Sequence, residues 1–175
     1  MGEYANAAIT IGGKIKRRDL DSLVEAIVED RCGPDWGALD EDKALAEIEA
    51  CAREKRHLYL CANEASWGQF ENVQSLCREL GLIHKAECEA GGEWHPHMEF
   101  FDPARQPKES SQTGNPISLE WSITEIGSGP LLDAEEVQKH YAAGTLADEL
   151  LLMIEVTKFP WPLEIIEPRR RRRKS

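Results

Sequence analysis

His84, Cys88, His95, His97 and Glu99 lie close together in the chain, and imidazole, thiolate and carboxylate are the donors that zinc and other borderline metals take. Between them stands Gly91-Gly92, which can supply the positive φ values of a two-residue hairpin turn. A turn at that point sets Cys88 opposite His95, Ala86 opposite His97 and His84 opposite Glu99. All six then share one face, because side chains alternate along a strand. Directly opposed Cβ atoms are about 4.5–5.5 Å apart, close enough for Cys88, His95 and His97 to meet on one ion, with Zn as the candidate cofactor. Ile83, Trp94, Met98 and Phe100 fall on the other, core-facing side. An ordinary solvated hairpin face accounts for the same residues without a metal. The spacing in His95-Pro96-His97-Met98-Glu99 also departs from the cupin pattern, so no cupin is inferred.

Other motifs carry less chemistry. Gly12-Gly13-Lys14 could bring backbone donors to a phosphate, but it matches neither GxGxxG nor GxxxxGK[ST], and turn glycines explain it better. No GxSxG or comparable signature anchors a nucleophile, so no catalytic residue is named and an enzyme is not the first expectation. Trp161, in Phe159-Pro160-Trp161-Pro162, is a candidate partner-binding residue, since a rigid aromatic loses little entropy on docking; the competing role is sealing the edge of the sheet or the helix pair. Arg169, Arg170, Arg171, Arg172, Arg173 and Lys174 form a polycation that could hold nucleic acid phosphates without reading sequence.

The elements that must position these residues follow from periodicity and punctuation. Ala7 to Ile11 reads as a strand closed by Gly12-Gly13, and Leu20, Leu23, Val24, Ile27 and Val28 then mark an amphipathic helix behind Asp19. Asp40 caps a second helix with Ala44, Leu45, Ile48 and Cys51 inward. A strand at His57 to Ala62 leads to Ser66-Trp67-Gly68-Gln69, read as a capping box before Phe70, Val73, Cys77 and Leu80, with Gly81 as the stop. Leu82–Cys88 and Trp94–Phe101 form the hairpin, residues 102–116 a long loop, and Ile117 to Thr124 an alternating strand with Trp121 and Ile123 inward. Asp133 caps a helix that Gly144 ends; Thr145 begins another, running to about Glu155; Leu163 to Ile166 is at most an edge strand. The order βααβαβββααβ, with an early βαβ unit, implies an α+β fold: a mixed sheet with helices mainly on one face, of which a ferredoxin-like arrangement is one candidate topology.

Composition bounds the rest. The 175 residues are 41% hydrophobic and 30% charged, enough to bury one core, so residues 1–168 are expected to form a single domain and 169–175 a disordered basic tail. No apolar run is long enough to span a membrane and the N-terminus does not read as a leader. Five scattered cysteines fit buried thiols in a reducing, cytoplasmic setting. The net charge is −11; six cations stand at 169–174, so the remainder carries −11 − 6 = −17. That body repels nucleic acid and favours basic partners or simple solubility.

Ile9-Thr10-Ile11-Gly12-Gly13, Trp67-Gly68-Gln69-Phe70-Glu71 and the stretch from Ala134-Glu135-Glu136-Val137 to Gly144-Thr145-Leu146 resemble, in order, pieces of small uncharacterised bacterial proteins, some carried on mobile elements. The resemblance implies a bacterial or phage accessory protein and no particular activity. The leading expectation is therefore an accessory protein acting through protein–protein contacts of its acidic surface. The alternatives are a metal-binding protein or metal-dependent enzyme using the hairpin, and a nucleic-acid-associated protein using the Arg tail.

Overall fold

A computed structural model describes residues 4–89, 97–105, 117–120 and 134–168. The strands are β1 (Tyr4–Lys16), β2 (Leu58–Ser66), β3 (Ile83–Cys88), β4 (His97–Phe101), β5 (Ile117–Glu120) and β6 (Leu163–Ile166). The helices are α1 (Leu20–Glu29), α2 (Glu41–Glu54), α3 (Glu71–Leu80), α4 (Ala134–Ala143) and α5 (Leu146–Lys158). Their succession is the βααβαβββααβ read from the sequence. The strands lie in the order β2-β1-β3-β4-β5 with antiparallel neighbours, and β6 runs parallel to the end of β1. The fold is α+β.

Two expectations about β1 are corrected. A single crossover helix would have returned the chain for a parallel partner, but α1 and α2 together bring it back to the end where β1 finished, so β2 pairs antiparallel. Nor does β1 stop at Gly12-Gly13. It continues to Lys16, because β6 supplies a partner for Gly13 to Lys16. The Gly13 N–H donates to the Pro162 carbonyl at 2.9 Å and the Leu163 N–H to the Arg56 carbonyl at 3.1 Å. The two glycines are needed for passage rather than for a turn. A Cβ at Gly12 would collide with the Trp161 carbonyl, and Gly13 has φ +101°, a region L side chains avoid.

The main core lies on one face of the sheet. Ile9, Ile11 and Ile15 of β1 and Leu58 and Leu60 of β2 pack under Leu23 and Ile27 of α1, Ile48 and Cys51 of α2, and Val73 and Cys77 of α3. These helical residues recur at spacings of three and four, which puts them on one stripe per helix. A smaller cluster lies on the opposite face: Met98 and Phe100 meet Leu152 and Val156 of α5 and Phe159, with Ile83 and Trp161 at its edge. All five cysteines are buried free thiols, and burial pushes Cys32, Cys51 and Cys77 up to about 12, so none of these three is a ready nucleophile. Among the described residues no helix is long and apolar enough to cross a membrane.

Caps show where local reading works. Asp40 accepts the Lys43 N–H at 2.9 Å, and Gly81 closes α3 in the left-handed region, with the Leu82 N–H donating to the Cys77 carbonyl at 2.8 Å. The capping box at Ser66 does not form, because Ser66 still belongs to β2 and pairs with Tyr4. Asp30, at the far end of α1, caps α3 instead. Its carboxylate accepts the Val73 N–H at 2.9 Å, the Asn72 N–H at 3.3 Å and the Asn72 side-chain amide at 2.8 Å. Asp30→Ala is expected to cost about 1–2 kcal/mol, as loss of an N-cap does, with Asp30→Asn recovering most of it; urea denaturation of the two variants checks this.

Candidate functional site

The β3–β4 hairpin has a register two residues away from the expected one. Cys88 faces His97, Ala86 faces Glu99 and His84 faces Phe101. A shift of two keeps the same residues on the same face, but that face is not solvated. Ala86 and Cys88 belong to the main core, and α3 lies over the strands: Gln74 donates its side-chain amide to Glu99, and Arg78 pairs with Glu99 at 3.8 Å. Both sides of the hairpin are therefore covered, the second by α5.

His84 is fully buried, stacked on Phe101 with ring centroids 5.3 Å apart. Neither ring nitrogen has a hydrogen-bond partner. Burial pushes the imidazole down to about 4, the Arg78 charge adds to that, and the Leu82 backbone, outside good hydrogen-bond geometry, pulls weakly the other way. His84 is thus a neutral core residue beside a Gln74–Glu99–Arg78 polar group. Among the described residues no three His, Cys, Asp or Glu side chains gather for a metal ion. Gly91-Gly92, Trp94, His95 and the side chain of His97 lie outside the described residues, as do Trp121, Ile123, Asp133 and the cations at 169–174.

Trp161 is half-buried, its ring 5.6 Å from that of Phe100 and 5.3 Å from that of Phe159. Most of that ring is committed to the smaller core. A wide cleft of about 630 Å³ is lined by Lys16, Arg17, Arg18 and Ile166 to Pro168. Arg17 is already paired with Glu49 at 3.1 Å and Glu167 at 2.6 Å, and Arg18 with Asp19 at 3.3 Å, so two of the cleft's cations are already engaged within the fold.

Sequence reasoning missed a narrower cleft of about 240 Å³ where the start of β1, the end of β2, the C-terminus of α1 and the N-terminus of α3 meet. Tyr4 and Trp67 supply aromatic surface, and Glu29, Asp30, Glu64 and Glu71 supply carboxylates. Among the described lining residues Arg31 is the one cation, so their ionised side chains sum to −4 + 1 = −3. Trp67 is 49% exposed on a left-handed backbone, φ +55°, followed by Gly68 at φ +66°. That pair makes the tight turn in which the Gly68 N–H donates to the Ala65 carbonyl at 3.1 Å and the Gln69 N–H to the Ser66 carbonyl at 3.1 Å. Gly68 rests directly on Cys88, which leaves no room for a Cβ. A bulky non-glycine residue at positive φ is a genuine outlier and costs about 1–2 kcal/mol. Here the turn seats on the hairpin and holds the indole at the rim.

The electrostatics of the cleft have one sign. The C-terminal end of α1 carries the negative end of its macrodipole, and the positive end of α3 is already neutralised by Asp30. Burial raises the Asp30 carboxyl, its hydrogen bonds to Val73 and Asn72 lower it, and neighbouring Glu71 raises it again. Glu29, Glu64 and Glu71 are exposed and remain available to a ligand. A single-residue-sized hollow with an aromatic plane and a ring of carboxylates suits a guanidinium or ammonium, held by cation–π attraction and charge. Comparison with known protein families, curated proteins and solved structures finds no significant match.

Proposed function

We propose that this protein is a binding module for a basic protein partner, with the cleft between β2 and α3 receiving an Arg or Lys side chain of that partner. The observation that carries the reading is Trp67, an exposed indole on a left-handed backbone at the rim of a hollow lined by Glu29, Glu64 and Glu71. Backbone outliers of this kind persist where surrounding structure over-determines them, and they concentrate at ligand clamps. The −17 body would steer a cationic segment toward the cleft, and the cleft would then provide orientation. An accessory role needs no catalytic group.

A fluorescein-labelled tetra-arginine peptide, followed by anisotropy, tests the reading. Trp67→Ala is expected to weaken binding about tenfold, the worth of a partly desolvated cation–π contact with its packing, and Glu64→Gln with Glu71→Gln by a similar factor. Trp36→Ala provides the control: Trp36 is also exposed, 43%, and also left-handed, φ +63°, but does not line the cleft. Equal weakening by Trp36→Ala and Trp67→Ala, or none by either, contradicts the proposal.

A further inference from the structure

The outer face of α5 has no covering element among the described residues, although it carries exposed apolar side chains as well as charges. Leu152, Met153 and Val156 are turned inward and buried. On the other side Ala147, Leu151, Ile154 and Lys158 follow one another at spacings of four, three and four, a single stripe down the helix, with Leu150 beside it. All five are exposed, Leu151 by 58%. An apolar stripe of this kind on a helix ordinarily packs against a neighbour. The neighbouring α4 adds exposed Val137 and Tyr141.

From this stripe we infer that the protein forms a symmetric dimer in which α5 packs antiparallel against α5 of a second copy. Charge along the helix identifies that occupant. Exposed Asp148 stands near the N-terminal end of the stripe and exposed Lys158 at its C-terminal end. Reversing a second copy about a two-fold axis through the middle of the stripe brings Leu150 and Leu151 onto Ile154 of the partner, and places Lys158 of each copy over Ala147 and Asp148 of the other. Ala147 leaves room for the lysine stem. Antiparallel alignment also opposes the two helix dipoles favourably, and an isologous contact of this kind closes on itself. A basic partner would meet Lys158 at one end of the stripe, whereas a second copy satisfies both ends. The dimer would present two clefts to one partner, but it stands or falls independently of what the cleft binds.

Sedimentation equilibrium of the full chain tests the inference. A dimer is expected at about 100 µM protein, a concentration that detects interfaces of modest size. Leu151→Asp is expected to weaken self-association by at least about thirtyfold by placing unpaired charges at its centre, with the circular dichroism spectrum unchanged. Asp148→Lys and Lys158→Asp should each weaken the dimer, and the double variant should restore it, an outcome specific to antiparallel self-pairing. A monomer throughout this range, a dimer indifferent to Leu151→Asp, or a double variant no better than either single one overturns the inference.

Discussion

Between about pH 6.5 and pH 4 the fold is expected to lose about 3 kcal/mol of stability to His84 alone, and a His84→Leu variant to lose none of that share. In the unfolded chain His84 takes up a proton near 6.5; in the folded chain burial and the Arg78 charge hold it neutral down to about 4. The unfolded state therefore binds more protons throughout that window, so stability falls as pH falls through it and levels off below. The positive charge would otherwise sit in a site where neither ring nitrogen has a partner. Asp30 acts with the opposite sign: its carboxyl is raised in the fold, so protonation near the ordinary carboxylate range favours the folded chain. His57, whose imidazole is lowered by burial and by the charges of Lys85 and Arg56, acts with the same sign as His84. Both groups are present in wild type and variant alike and cancel in the difference between them. Urea denaturation across the window measures that difference; parallel curves for the two proteins would show that His84 does not titrate as a buried base.

Gly12→Ala is expected to destabilise the protein by about 3 kcal/mol or more, because the new methyl group meets backbone rather than a movable side chain. A Cβ at Gly12 would overlap the Trp161 carbonyl, with the Trp161 carbonyl carbon 2.9 Å away. Relief requires the Trp161–Leu163 segment to move. That displaces the Pro162 carbonyl from the Gly13 N–H, breaks the β1–β6 pairing and pulls the Trp161 ring from Phe100. Gly37→Ala is the matched control, since nothing lies within 4 Å of a Cβ there, and a change within about 0.5 kcal/mol is expected. Equal stability of the two variants by chemical denaturation would remove the close approach from the account.

Periodicity made the succession of elements legible, and punctuation made several ends legible, because both are local. Asp40 and Gly81 act on their own helices, and the apolar spacings of Leu23, Ile27, Val73 and Cys77 declare one buried stripe each. What was not legible depended on residues distant in the chain. Asp30 caps a helix that begins only at Glu71, so Ser66 looked like the cap it is not. Gly12-Gly13 looked like a strand end because the element requiring them, β6, lies at the other end of the domain. The hairpin face around His84 looked wet because polar side chains alternated with apolar ones; α3 covers it, and Gln74, Arg78 and Glu99 satisfy one another there. The cleft was hidden for the same reason. Glu29 and Arg31 come from the end of α1 and the residues after it, Glu64 from β2, Trp67 from the turn that follows, and Glu71 from the start of α3. Only the Trp67-Gly68 pair, standing between a strand and a helix, signalled that an aromatic side chain would be carried on a tight turn.

The indole N–H resonances of the five tryptophans, followed in a two-dimensional nitrogen–proton spectrum while tetra-arginine is added, test the cleft most directly. Saturable movement of the Trp67 signal is expected, with backbone shifts confined to Tyr4, Glu29 to Arg31 and Glu64 to Asn72. Small linear shifts spread over the acidic surface, with Trp67 no different from Trp36, would mean that the carboxylates attract cations without any cleft to receive them.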